Sequence, residues 1–123
     1  MKYSVIAKAY KSLVKLSGEK FTLKISYDIY KLIKCFQPHI DFEVEQINAL
    51  FDKYNVHPDE NGKINFEDAE KSKEFMNDYD EKMKDLLDLD VEIEPPKINI
   101  PLTEDLMLTP VDVEALEPFI NFV

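Results

Sequence analysis

The chain has no arginine, one cysteine and only two glycines. Each shortage removes a class of function. Arginine is the side chain best shaped for bidentate contact with phosphate or carboxylate. All fifteen basic residues are lysine, so a nucleotide or nucleic-acid clamp loses its best tool. The lone Cys35 excludes an intramolecular disulfide and any multi-cysteine zinc site. Gly18 and Gly62 stand far apart, which leaves no glycine-rich phosphate loop. No apolar run approaches the ~20 residues that cross a bilayer. The opening MKYSVIAKAYKSLVKL spaces its lysines throughout, unlike a signal peptide. The expected location is the cytoplasm, with no membrane partner.

What is present is enough for a core. Of 123 residues, 45% are hydrophobic, with eight Phe and six Tyr. A chain of that size fits one domain, 1–123, and hides roughly two-thirds of its unfolded surface. The net charge of −10 is unevenly spread. Residues 1–38 carry eight lysines against Glu19 and Asp28, whereas 39–123 carry seven lysines against 23 acids. A chain polarised in this way either pairs its own halves or offers an acidic face to a basic partner. The same balance disfavours direct nucleic-acid binding.

Hydrophobic spacing organises the chain. Residues 2–16 read as an amphipathic helix with Tyr3, Ile6, Ala7, Tyr10, Leu13 and Val14 inward, closed by Gly18. KFTLKI, 20–25, alternates with period two and predicts a half-buried strand. Ser26 would then cap a long helix, 26–54, whose stripe is Ile29, Ile33, Phe36, Ile40, Val44, Ile47, Phe51 and Tyr54. The stripe keeps phase across Pro38, so a kinked or briefly interrupted helix is expected there. A third helix, 66–87, places Phe66, Ala69, Met76, Tyr79, Met83 and Leu86 inward. Its outer face offers the pairs Glu67–Lys71, Asp78–Lys82 and Asp80–Lys84. Two short extended segments, 91–94 and 97–100, flank Pro95-Pro96. A short helix closes the pattern at 109–119, capped by Thr109, with Pro110 first, Asp112 completing a capping box and Pro118 ending it. The expected fold class is α+β and mainly helical: one long kinked central helix packed with two others, a few short strands and a C-terminal helix.

HPDENGKINFED, 57–68, resembles the twelve-residue EF-hand pattern when Gly62 is aligned with its glycine. Asp59, Asn61 and Asp68 are then the calcium candidates. His57 replaces the first carboxylate, and Asp68 is a methylene shorter than the usual bidentate glutamate. Asn61-Gly62 reads more simply as a tight type I′ turn, with Val56 and Ile64 on short flanking strands. No cofactor or metal is therefore expected. The pair Cys35 and His39, four apart, is the nearest approach to a nucleophile and base, but no motif supplies a third residue and a buried cysteine is the simpler reading. Aromatic residues are expected on inner faces. No enzymatic activity is expected.

Interaction remains. Residues 66–94 hold twelve acids and four lysines, with Glu70, Glu74, Asp78, Glu81 and Asp85 as candidate contacts. Such a segment suits a basic protein partner, or mimics the phosphate rows of DNA and inhibits a host nucleic-acid-binding or defence enzyme. Self-association through the 26–54 helix is a further expectation. At KFTLKISYDIYK, 20–31, and LTPVDVEALEPFI, 108–120, the chain resembles a small uncharacterised protein family of phages and prophages of low-GC Gram-positive bacteria. The resemblance implies a phage-related setting, in the virion or the host cytoplasm, and assigns no activity or functional residues.

Overall fold

Helix α1, Tyr3–Ser17, turns its apolar stripe into the main core. Tyr3, Ile6, Ala9, Leu13 and Leu16 are buried. The buried face is wider than the expected one: Ala9, Ser12 and Leu16 are buried as well, Ala7 and Tyr10 are half-buried against the core, and Val14 is exposed. Gly18 does cap the helix, with an ordinary negative φ of −83°. The computed structural model describes residues 1–102 and 105–123.

The strand expected at 20–25 does not form. Helix α2 begins at Leu23 and runs unbroken to Lys53, 31 residues with Pro38 inside, about 46 Å at 1.5 Å per residue. Thr22, not Ser26, is its N-cap: the Thr22 hydroxyl accepts from the Ile25 N–H at 3.5 Å. Leu23, the middle of the apparent alternation, is 86% exposed. A strand needs a neighbour for its backbone, and the segment has none, whereas a helix satisfies its own. Ile25, Ile29, Leu32 and Phe36 of α2 pack on α1 in the main core.

The end of α2 is shaped by Asn55, the one described non-glycine residue with positive φ, at 52°. The Val56 N–H donates to the Phe51 carbonyl at 3.1 Å and the Asn55 N–H to the Asp52 carbonyl at 3.1 Å. This pairing, with a left-handed residue between, is the Schellman closure, which favours an apolar contact across it. Val56 is buried beside Phe51 accordingly. Helix α3, Ala69–Leu87, then begins at Asp68, whose side chain accepts from the Lys71 N–H at 2.6 Å. It starts three residues later than expected, and its buried anchor is Phe75, not Met76. Phe75 contacts four aromatic neighbours, Phe51, Tyr54, Phe66 and Tyr79, at centroid distances of 5.7, 5.5, 5.3 and 6.0 Å. With Leu50 and Val56 they form a second core at the far end of α2.

The end of α3 returns to α1. The Tyr3 N–H donates to the Leu89 carbonyl at 2.8 Å, and Val91 N–H to the Met1 carbonyl at 2.7 Å. Residues 91–94 form no strand, while 97–100 contains β1, Ile98–Ile100. Strand β1 pairs in parallel with β2, Ile120–Phe122, in the register Ile98↔Ile120, Asn99↔Asn121, Ile100↔Phe122. Parallel strands need a crossover, and helix α4, Pro110–Leu116, lies within it. The expected capping box of α4 is present, from Thr109 and Asp112. Ile98, Ile100, Ile120 and Phe119 enter the main core, where Phe119 meets Phe36 edge-on at 4.8 Å. The architecture is thus mainly helical, with four helices and two short strands among the described residues.

Candidate protein-binding face

The loop at 57–68 uses its acids on its own backbone. Asp59 Oδ1 accepts from the N–H groups of Asn61 and Lys63, both at 2.9 Å. The Gly62 N–H donates to the Asp59 carbonyl at 2.9 Å, closing a turn over 59–62. A type I′ turn on Asn61-Gly62 would need positive φ at both residues. Only Gly62 has it, at 77°, so the turn is a residue earlier and glycine is its last residue. Val56 and Ile64 lie on no strand. Asp68 is engaged as the cap of α3. Among the described residues, no three His, Cys, Asp or Glu side chains come together in a way that could hold a metal ion. Burial pushes the Cys35 thiol up, the opposite of what activates a nucleophile.

The five acids of α3 divide. At about 100° per residue, Glu70, Glu74, Asp78, Glu81 and Asp85 share one flank. Asp78 is not free for a partner. Its carboxylate accepts from the Tyr54 hydroxyl and, at 3.2 Å, from Lys53 Nζ. These bonds hold Asp78 below the usual carboxylate range and push the Tyr54 phenol up to about 12. Asp78 therefore joins α3 to α2 and is not bonded to Lys82, its expected helical partner. Glu70, Glu74, Glu81 and Asp85 are exposed.

A second polar tie closes the other end of the fold. Asp112 is 5% exposed. It accepts from the Ser12 hydroxyl at 2.8 Å, from Lys15 Nζ at 3.1 and 3.2 Å, and from the Thr109 N–H at 3.2 Å. Ser12, the Thr109 backbone and Lys15 hold its carboxyl well below the usual range. Beside this pair an open hollow of about 540 Å³ lies between α1 and α4, with Val5, Val111, Ala115 and Pro118 as apolar walls and Lys8 and Lys11 on its rim.

The best-formed unpartnered surface is on α2. Leu23, Tyr27 and Tyr30 are 86%, 57% and 53% exposed. The two tyrosine rings stack with centroids 6.2 Å apart and planes inclined by 23°. Lys31 Nζ lies 5.0 Å from the Tyr27 ring centre, and Lys34 Nζ 5.6 Å from that of Tyr30. Asp28 is neutralised locally by Lys24 at 2.9 Å and Lys31 at 3.5 Å. Every polar side-chain tip on this face other than Asp28 carries a hydrogen-bond donor, and the ring bodies provide apolar area. The expectation that aromatic residues keep to inner faces fails here. Reading 20–25 as a strand hides the pattern, because the four-three spacing of Leu23, Tyr27 and Tyr30 is visible only once the helix begins at Leu23.

No family model matches the chain, and no curated protein or solved structure matches it. No described helix is long and apolar enough to cross a membrane.

Proposed function

We propose that the protein is a non-enzymatic protein-binding module whose contact surface is the tyrosine–lysine face of α2. The observation that carries this reading is the stacked Tyr27–Tyr30 pair, held in solvent on a helix with lysines over both rings. Tyrosines fixed in this way lose little conformational entropy on binding, and they combine apolar area with a polar tip. The lysines and phenols favour a partner that offers carboxylates. The resemblance at 20–31 and 108–120 supports a phage or prophage setting, in virion assembly or in contact with the host, with the protein in the host cytoplasm or the virion. The test is a photo-crosslinking residue at position 27, with one at the exposed Met107 as control. A polypeptide adduct from position 27 alone supports the reading, and no adduct from position 27 overturns it.

The acidic flank of α3 favours a second reading, a DNA-mimic inhibitor of a host nucleic-acid-binding enzyme. Glu70, Glu74, Glu81 and Asp85 would supply its phosphate-like charges. Binding to a basic nuclease would then compete with DNA and weaken steeply as salt rises. Binding that ignores salt, or leaves DNA in place, sinks it.

A further inference from the structure

The outer face of α2 does not end at Lys34. Continuing at about 100° per residue, Leu23, Tyr27, Tyr30, Lys34, Asp41, Glu45, Asn48 and Asp52 fall within one arc of about 60°. All eight are exposed. The first half is aromatic and basic, and the second is acidic and amide-bearing. The spacing of the first four residues is four, three, four, and so is that of the last four.

A row of this kind is complementary to itself when reversed. Laid antiparallel on a second copy about a two-fold axis between Gln37 and Pro38, Lys34 faces Asp41, Tyr30 faces Glu45, Tyr27 faces Asn48 and Leu23 faces Asp52. The two-fold repeats each pairing. The phenol hydroxyls of Tyr27 and Tyr30 then point at an amide oxygen and a carboxylate. Glu45 and Asp52 have no side-chain partner among the described residues, while Asp41 accepts one bond, from Gln37 Nε2 at 2.8 Å. A parallel arrangement would place like charge on like charge.

We infer that α2 seats a second copy of the same chain, antiparallel, through the Leu23–Asp52 face. This rests on the reading of that face as a protein-binding surface and names its partner. The tyrosines supply buried area, whereas the charges set direction and register, since exposed ion pairs contribute little to affinity alone. The partner is a copy because the reversed charge pattern and the matched spacing are on the same helix.

Sedimentation equilibrium at about 0.15 M salt, where charges interact over about 8 Å, tests this with three forms. Wild type is expected to dimerise. Lys34→Glu, which places two repulsive pairs in the dimer, is expected to weaken it about tenfold or more. Lys34→Glu with Asp41→Lys exchanges the charges and is expected to restore it. Circular dichroism controls for loss of helix. A wild type that stays monomeric, or a double variant as weak as the single one, overturns the self-pairing. Crosslinks from position 27 separate the two ideas. An adduct of twice the chain mass supports self-pairing, one of another mass with monomeric wild type leaves only the binding face, and no adduct sinks both.

Discussion

Ser12 and Asp112 lie one hundred positions apart, and the Ser12 hydroxyl donates to the Asp112 carboxylate at 2.8 Å in a buried setting. The same carboxylate completes the cap of α4, so one side chain fixes both a local helix start and the docking of that helix on α1. Its ionised form is favoured in the folded state, where the carboxyl lies below its unfolded value of about 3.9. The stability it contributes is therefore present above about pH 4 and is lost as pH falls below it. Asp112→Asn should lower the melting temperature at pH 7 and flatten the acid limb of a stability-against-pH curve. Parallel acid limbs for the two proteins would show that Asp112 is not the linked group.

Phe75 is the centre of the second core, and that core is separate from the main one. Phe75→Ala should cost about 3–5 kcal/mol, the usual range for a buried phenylalanine. The loss should be local. Hydrogen exchange should quicken in residues 50–80 while the amides of Ile98, Ile100 and Ile120 remain protected. Equal acceleration in both regions would mean that the two cores unfold as one unit.

How far the sequence reveals this molecule depends on the range of the forces involved. The cap of α4 is legible because Thr109, Pro110 and Asp112 interact within four residues. The long α2 stripe is legible because many apolar positions repeat one spacing. Phe75 is not, because reading Met76 as inward shifts α3 by only one residue, about 100° of rotation, and the aromatic tip of α2 decides between them. The parallel pairing of β1 with β2 joins segments 22 residues apart, and nothing local marks it. The acids of α3 are visible as composition, yet which of them is committed depends on Tyr54 and Lys53 of another helix. The tyrosine face is concealed by six alternating residues that suit a helix start as well as a strand.

Tyr54 and Asp78 make a second pH-dependent contact, at the opposite end of the protein and of opposite sign. The Tyr54 phenol is raised to about 12 by its hydrogen bond to Asp78, with burial and nearby acids adding to the effect. Its contribution is complete below the unfolded value of about 10 and is lost as pH rises toward 12. Ultraviolet titration should show two tyrosines ionising late, Tyr54 and Tyr3, the latter pushed up by burial and by its bond to Glu43 at 2.6 Å, and Asp78→Asn should bring one of them toward the ordinary range. Two late tyrosines still present in that variant would show that Asp78 does not hold the Tyr54 phenol.

Pro38 is exposed, yet it lies inside a helix that continues on both sides. It has no N–H to donate to the Lys34 carbonyl, and its ring crowds that carbonyl. An interior proline is about 3 kcal/mol less favourable than alanine, and burial of α2 on α1 at one end and on α3 at the other outweighs that cost. Pro38→Ala should therefore raise stability by about 1–3 kcal/mol, read as a higher urea midpoint with an unchanged slope. A neutral or destabilising result would mean that a bend at Pro38 is required, because straightening α2 would then misalign its two ends, each of which is held by a different core.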